Sequence, residues 1–165
     1  MAKSKIEDFY LRPDDEALKW EKITLRIVGA PRTRREVEQK LRDRGCPEER
    51  IEPLLDRFQE LRMIDDRLYA RLYMESKRDY GLRRLRDELR LRGVSDEDIE
   101  DALDECEVDE VERALTLLRR WSGMHGMTPQ KLYGRLSRRG FSGSAVHEAF
   151  SLLREELDEE DDGED

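Results

Sequence analysis

Apolar residues recur at helical spacing in short stretches along the chain, with turn residues between the stretches. The clearest stretch has apolar residues at i, i+3, i+4 and i+7, which is the spacing of one buried helix face; it consists of Ile51, Leu54, Leu55 and Phe58. No segment alternates apolar and polar residues for long enough to indicate a β-strand. The pattern therefore predicts an all-α fold made of short amphipathic helices.

The chain contains three copies of one segment, each centred on a turn glycine. Gly45, Gly93 and Gly140 lie 48 and then 47 residues apart. A leucine stands four residues before each glycine, and further apolar residues keep the same offsets from that leucine in all three copies. Glycine adopts the left-handed conformation that ends a helix without a steric penalty. Each glycine is therefore predicted to end the first helix of a tightly turned helical pair.

Helix-start signals support the same units. Ser, Thr and Asp side chains cap helix N-termini, and an acidic residue three positions later completes a capping box. Proline suits the first turn of a helix. The predicted starts are the boxes Thr33-x-x-Glu36 and Ser95-x-x-Asp98, the N-cap Thr128, the first-turn prolines Pro47 and Pro129, and the pair Asp65-Asp66.

A further helical pattern precedes each pair, so every unit has three short helices. Such small units bury little surface alone, and neighbouring units stack to share apolar contacts. We therefore predict three tandem three-helix repeats in an elongated, curved array. The predicted segments are an N-terminal extension at 1–13, repeats at 14–62, 63–107 and 108–157, and a disordered acidic tail at 158–165.

Composition narrows the class of protein. Charged residues make up 44% of the chain and apolar residues 36%, which fits several small cores better than one large core. No stretch approaches the ~20 apolar residues of a membrane span, and no apolar run follows the first residues. Cys46 and Cys106 are too far apart in sequence for a zinc module or a disulfide framework. We expect a cytoplasmic monomer without a membrane partner.

The net charge of −9 arises in the last eleven residues, 155–165. Nine of the last eleven residues are acidic, and the remaining 154 residues carry 32 acids against 32 bases. The chain has 25 arginines and 7 lysines, and arginine forms paired hydrogen bonds with carboxylates and phosphates that lysine cannot form. Many of these arginines are expected in surface ion pairs along helices. The local clusters are Arg32 with Arg34-Arg35, Arg83-Arg84 with Arg86, and Arg138-Arg139.

No pattern of catalytic residues stands out. His125 lies in a glycine-rich connector and His147 within a helical pattern, and neither has a partner at metal-ligand spacing. No phosphate-binding glycine loop or nucleophile elbow is present. Cys46 and Cys106 occupy packing positions of the repeat. The sequence therefore predicts a protein that is not an enzyme and needs no cofactor or metal.

The order of these motifs resembles that of the bacterial RecX regulatory proteins. The resemblance covers roughly residues 14–155, and Arg62 departs from it because the family usually has glycine there. The motifs that carry it are Pro31 to Val37, Leu41 to Gly45, Ile64-Asp65-Asp66 with Tyr69-Ala70, Arg83 to Arg90 with Arg92-Gly93-Val94, and Arg138 to Ser142.

The resemblance implies a helical-repeat protein that binds the RecA recombinase as its filament on single-stranded DNA. A protein of this family lies along the filament groove and restrains filament growth, ATP hydrolysis, strand exchange and repressor co-cleavage, without a cofactor. RecA is thus the implied partner, with single-stranded DNA as a further one. The expected contacts are arginines before the turn glycines, namely Arg34, Arg35, Arg42, Arg83, Arg84, Arg86, Arg90, Arg135, Arg138 and Arg139.

Two other interpretations of the arginines remain open. A helical module that binds DNA directly, independently of RecA, has similar Arg-rich helices, although dedicated binders usually carry one basic face. A helical adaptor would use its arginines only for ion pairs. Titration of single-stranded DNA with and without RecA separates the three hypotheses.

Overall fold

The computed structural model describes residues 15–162, with side chains to residue 159. These residues form nine α-helices and no β-strand, which confirms the predicted all-α class. The predicted N-terminal extension lies outside the described residues. The helices are α1 Asp15–Ile27, α2 Arg34–Asp43, α3 Glu48–Glu60, α4 Asp66–Ser76, α5 Leu82–Leu91, α6 Asp96–Glu105, α7 Glu110–Ser122, α8 Pro129–Arg138 and α9 Gly143–Asp162.

The described helices form two compact units. The first repeat comprises α1–α3, the second α4–α6 and the third α7–α9. The units divide between Tyr69 and Ala70, inside α4. In the first unit, the apolar stripes of α1–α3 meet in a core that includes Trp20, Leu41 and Leu55. The second unit contains the rest of α4 and the helices α5–α9, so most of the second repeat packs with the third repeat as one unit.

The three turn glycines have the conformation that the repeat predicts. Gly45, Gly93 and Gly140 have φ angles of 78°, 83° and 85°. After each glycine, the next amide donates back to a carbonyl of the preceding helix turn; Cys46 N donates to Leu41 O at 3.0 Å. This pattern satisfies carbonyls that the helix end leaves without partners. The glycines thus end α2, α5 and α8 and reverse the chain into the next helix.

The third helices of the first two repeats end in the same way without glycine. Arg62 after α3 has φ 58°, and Glu107 after α6 has φ 46°. The following amides again donate to the helix, Met63 N to Phe58 O at 2.9 Å and Val108 N to Leu103 O at 3.3 Å. A side chain in the left-handed region is sterically unfavourable. Arg62 and Glu107 therefore adopt a backbone conformation that glycine takes without a steric penalty, at a cost in strain.

Most predicted helix starts are confirmed. Thr33 and Glu36 form both hydrogen bonds of a capping box, Thr128 caps α8 with Pro129 behind it, and Asp65 accepts from Leu68 N at 2.9 Å. Two starts differ from the prediction. Pro47 stands at the N-cap position before α3, and at α6 the Asp98 carboxylate bonds the Ser95 hydroxyl, so only the Ser95 half of the box forms.

The last helix continues beyond the predicted start of the tail. We expected order to end near Leu157, whereas α9 is helical through Asp162. A pair between Arg119 of α7 and Glu156, with Nε and Oε2 3.0 Å apart, holds α9 against α7 close to that point. Each residue added to an existing helix forms one further backbone hydrogen bond, without a new nucleation step. For this reason α9 can extend past its last packed turn. Residues 163–165 lie outside the described part of the chain.

Candidate functional site

The start of α5 meets the end of α8 inside the second unit. Gly81 N donates to Arg139 O at 2.9 Å, and Arg83 N donates to Gly140 O at 3.2 Å. The first amides of one helix thus satisfy the last carbonyls of the other, which neither helix can do alone. The two helix dipoles also meet head to tail, which is favourable. This junction joins the second repeat to the third.

Two glycines allow the backbones to come this close. A Cβ at Gly81 would overlap the backbone nitrogen of Phe141, and a Cβ at Gly140 would lie 2.5 Å from both Cβ and N of Arg84. Neither overlap involves the flexible end of a side chain, so it could be relieved only by moving backbone. Gly140 is therefore needed for the positive φ of the turn and also for the close contact between the helices, which places Arg84 beside the end of α8.

Glu110 and Arg113 of α7 hold the same region together. Glu110 Oε1 accepts from Leu82 N at 2.9 Å, and Glu110 Oε2 accepts from the Ser142 hydroxyl at 2.7 Å. Arg113 donates to the carbonyls of Met74 and Lys77 at 3.2 and 3.1 Å, which end α4. Burial lowers the pKa of Arg113, yet an arginine stays charged in a protein. Both residues contribute to structure, because their polar groups are satisfied by backbone.

A cavity of about 490 Å³ lies beside this junction. Four of its seven lining residues are arginines, two are aromatic and one is acidic. We call it the arginine cavity; it is lined by Asp79, Tyr80, Arg84, Trp121, Arg135, Arg138 and Arg139. Asp79 and Tyr80 come from the loop before α5, Trp121 from the end of α7, and the last three arginines from the end of α8.

Aromatic rings position three of the four guanidinium groups. The Arg84 guanidinium lies 4.0 Å from the centre of the Tyr80 ring. Those of Arg135 and Arg139 lie 5.6 and 5.2 Å from the centre of the Trp121 ring. These distances are within the range of cation–π attraction. The rings thus hold the cations in place without neutralising their charge.

The cavity retains excess positive charge. Arg139 forms an ion pair with Asp79, and Arg84 Nε lies 3.7 Å from Glu88 Oε1. Arg135 and Arg138 are exposed, and among the residues with described side chains neither is within ion-pair distance of a carboxylate. Four cations therefore face one lining carboxylate. Such an arrangement can bind an oxyanion such as a phosphate or a carboxylate.

Comparison with known proteins identifies the family. Two family models match the chain, "RecX, first three-helix domain" over residues 27–58 and "RecX, second three-helix domain" over residues 65–103. The regulatory protein RecX of Thermobifida fusca is 35% identical over 158 residues, which cover 90% of this chain and 84% of that protein. This chain belongs to the RecX family. The RecX protein of Streptomyces coelicolor is 34% identical and covers 93% of this chain and 84% of its own length.

Solved RecX structures share the fold. RecX from Lactobacillus salivarius superposes with a TM-score of 0.73 at 27% identity, covering 86% of this chain and 99% of that one. A second structure, a regulatory protein RecX, gives 0.69 at 26% identity and covers 83% and 74%. The chain is therefore a regulatory protein of the RecX family with a helical-repeat fold. Within the second-domain match lies Arg84, while the other three cavity arginines follow it in the sequence.

The predicted arginines of the first repeat are not among the residues that line the cavity. Arg34 Nη2 is 2.6 Å from Glu52 Oε1 and 2.8 Å from Asp56 Oδ1. Arg42 Nη2 is 2.6 Å from Glu48 Oε1, and its hydrogen bond holds the pKa of Glu48 below the ordinary value. Arg35 is exposed on α2. The first two arginines thus stabilise the α2–α3 pair, as the ion-pair interpretation expects.

The second repeat contains a similar division. Arg86 forms two hydrogen bonds with Glu100, at 2.7 and 2.9 Å, which lower the pKa of that carboxyl. Arg90 Nε lies 2.7 Å from Asp96 Oδ1. Arg83 is exposed and donates to the Ser137 carbonyl at 2.9 Å. Of the ten predicted arginines, the structure thus brings Arg84, Arg135, Arg138 and Arg139 together.

Sequence reasoning missed the groups that shape this site. The helical pattern that precedes the third pair predicts Trp121 on a buried stripe, and no motif indicates Asp79 or Tyr80. Trp121 is indeed 4% exposed, and its ring also lies beside the guanidinium groups of Arg135 and Arg139. The available signal was the short stretch Asp79-Tyr80-Gly81 directly before an arginine cluster.

The other polar candidates have ordinary surroundings. Cys46 is buried in the first core, and burial raises the pKa of its thiol, which disfavours the reactive thiolate. Cys106 is half-buried at the C-cap of α6, and His125 and His147 are exposed. Within the part of the chain that the structure describes, no group of His, Cys, Asp and Glu is arranged to hold a metal, and no helix has the length and apolar character to cross a bilayer.

Proposed function

We propose that this chain regulates the RecA recombinase by binding RecA filaments on single-stranded DNA. In this proposal the protein lies in the filament groove and restrains ATP hydrolysis, strand exchange and repressor co-cleavage. The names of the RecX relatives support a regulatory role. Because such a protein acts by contact and not by catalysis, its charged surface has to provide the contact.

The arginine cavity is the observation that carries the proposal. Four other predicted arginines are neutralised by carboxylates of the same chain. Among the described side chains, the four cavity arginines have two carboxylates nearby, Asp79 at Arg139 and Glu88 at Arg84, and neither pairs with Arg135 or Arg138, so an anionic group of the filament gains most from this surface. An exposed ion pair contributes only ~0–1 kcal/mol, and useful affinity therefore requires several such contacts made at once. The filament repeats its protomers and its phosphates, so it offers such contacts in series.

The DNA-dependent ATPase activity of RecA tests the proposal. We expect sub-stoichiometric amounts of this protein to suppress ATP hydrolysis on single-stranded DNA. The double variant Arg135→Glu with Arg138→Glu should suppress it at least about tenfold less effectively, because two lost contacts of ~1 kcal/mol each change the binding constant by that order. Circular dichroism checks that the double variant remains folded.

A matched control uses the corresponding end of α2 in the first repeat. The double variant Lys40→Glu with Arg44→Glu changes the charge by the same amount, outside the cavity, and should suppress the ATPase like the unmodified protein. Equal loss in both double variants would mean that total charge, and not the cavity, determines the effect. Unchanged suppression by the cavity variant would exclude the cavity as the contact surface.

The alternative function is a module that binds DNA independently of RecA. The stacking of the arginine side chains on aromatic rings favours this alternative, because guanidinium groups also stack on nucleic-acid bases. It predicts tight binding to bare single-stranded DNA, and ATPase suppression only at concentrations that cover the DNA. A helical adaptor predicts no response with bare DNA or with the filament.

A further inference from the structure

Equivalent positions in the second and third repeats differ in charge. In the second repeat, Arg92 follows α5, donates to Glu88 Oε2 four residues earlier at 2.8 Å, and lies 4.8 Å from the centre of the Tyr73 ring. Arg139 occupies the same place after α8 and lies over Trp121. The residue four positions before Arg139 is a second arginine, Arg135, over the same ring. The third repeat thus has two cations where the second repeat has an ion pair.

Two cations four residues apart on a helix repel each other, so an external anion would stabilise this arrangement. Asp79 is the one carboxylate that lines the cavity, and it is already paired with Arg139. Arg135 and Arg138 stay exposed at the rim. An anion that enters the cavity would therefore meet Arg135 and Arg138 directly, and it would compete with Asp79 for Arg139.

The number of arginines at this cavity favours phosphate as that anion. A volume of about 490 Å³ admits a phosphate with its sugar. A nucleic-acid strand presents successive phosphates at close spacing, which suits several arginines from one helix end. Its bases can also stack on guanidinium planes, as in single-strand binding proteins.

We propose that the arginine cavity binds phosphate groups of a single-stranded nucleic acid, and that Asp79 is the internal anion that competes with them for Arg139. This inference rests on the proposed function, because it names the ligand of the same surface. Asp79 thereby limits the affinity of the site for bare strands. The strand held within a filament overcomes this limit because many contacts form together.

Fluorescence anisotropy of a labelled oligothymidine, measured without recombinase over a series of salt concentrations, tests the inference. Asp79→Asn keeps the shape of the side chain and removes its charge, so the affinity should rise about fivefold, which is the weight of one ~1 kcal/mol ion pair. The double variant Arg135→Gln with Arg138→Gln should bind about tenfold more weakly. Its salt dependence should fall by about 1 to 2 in slope, since two phosphate contacts are lost.

The double variant Lys40→Gln with Arg44→Gln is the matched control, because it removes the same two positive charges at the end of α2, outside the cavity. Its affinity for oligothymidine should be unchanged. If Asp79→Asn and the double arginine variant both bind like the unmodified protein, the cavity is not the phosphate site. Since this assay contains no RecA, that result would leave the ATPase experiment to decide the proposed function separately.

Two competitors distinguish the source of the anion. Inorganic pyrophosphate should displace oligothymidine only weakly, because it lacks the sugar and bases and spans few contacts. If pyrophosphate alone binds as tightly as the oligonucleotide, the ligand is a free polyphosphate and the inference is wrong. If poly-glutamate displaces the oligonucleotide at a lower concentration than pyrophosphate does, the cavity prefers an acidic protein segment, and the inference is again wrong.

Discussion

The first and third repeats contain the same turn and use it differently. In both, an arginine, a glycine and an apolar residue follow the second helix, and the glycine has a positive φ. In the first repeat, no atom of the described residues lies within 4 Å of a Cβ built on Gly45. Arg44 is exposed there and donates to the Lys40 carbonyl at 3.2 Å. This copy of the turn ends a helix, and its glycine makes no close contact with another described helix.

In the third repeat, the same turn builds a site. Gly140 lies against the backbone of Arg84, and Arg139 pairs with Asp79 and stacks on Trp121. The turn has kept its backbone geometry and gained contacts from the second repeat. A repeat protein can thus acquire a binding surface at one copy of a motif whose sequence, seen alone, predicts only a helix end.

Alanine at the two turn glycines tests this difference, and it gives the largest expected effect on stability. Gly45→Ala should lower the free energy of unfolding by about 1–2 kcal/mol, the cost of a left-handed alanine. Gly140→Ala should lower it by at least about 3 kcal/mol, because the methyl group also overlaps backbone at the junction and a change of that size requires a specific clash. Urea unfolding measures both values.

Gly81→Ala separates the two causes in Gly140→Ala. Gly81 has φ −76°, so alanine there is not strained by its own backbone, yet its Cβ overlaps the turn of the third repeat. We expect a loss between those of the other two variants. Equal losses for Gly45→Ala and Gly140→Ala would show that the junction contributes nothing beyond the turn.

The fold could be predicted from the sequence because the signals for its helices and turns lie within short segments of the chain. The positions of Gly45, Gly93 and Gly140, the cap at Thr33 and the stripe from Ile51 to Phe58 depend only on nearby residues and helix periodicity. The RecX resemblance added the family, and the comparisons confirmed it. The RecA partner stays a prediction.

The site was less predictable because it depends on contacts distant in sequence. Arg86 and Arg84 belong to one cluster in the sequence, yet Glu100 neutralises the first while the second enters the cavity. The helical periodicity that separates their two side chains can be derived from the sequence, but the partner across the junction cannot. Asp79 meets Arg139 from 60 residues away, and no spacing rule within one repeat indicates that pair.

Glycine substitutions at the two non-glycine residues with positive φ test the same backbone strain by relieving it, and their expected effect is smaller. Arg62→Gly and Glu107→Gly should each raise the free energy of unfolding by up to about 1 kcal/mol, because glycine relieves the left-handed strain and loses part of that gain to its greater entropy when unfolded. Their φ angles of 58° and 46° require no other change. Urea midpoints of the single variants give the values.

Arg44→Gly provides the matched control for Arg62→Gly. Arg44 also follows a helix, but its φ is −90°, so glycine there brings only the entropic cost and should lower stability by about 0.5–1 kcal/mol. If Arg62→Gly is as destabilising as Arg44→Gly, the positive φ is not a source of strain, and the cost assigned to Gly45→Ala would be too large.

The smallest expected effect is a dependence on pH at the turn of the first repeat. Arg42 and Glu48 bridge this turn, whereas the third repeat has Ser137 and Gly143 at those positions. The hydrogen bond from Arg42 lowers the pKa of Glu48 in the folded state. The pair therefore stabilises the protein at pH values above the ordinary carboxyl pKa of about 4.3. This contribution is lost as the pH falls through the lowered pKa of the folded state. Glu48→Gln should therefore reduce the urea midpoint slightly at pH 7 and not at pH 2. The effect is screened by solvent and shrinks further in high salt.

Glu49→Gln, in the same helix turn, is the control and should show no such difference between the two pH values. If the urea midpoint of Glu48→Gln matches that of the unmodified protein at both pH values, the turn in the first repeat is stable without an ion pair, like the turn in the third.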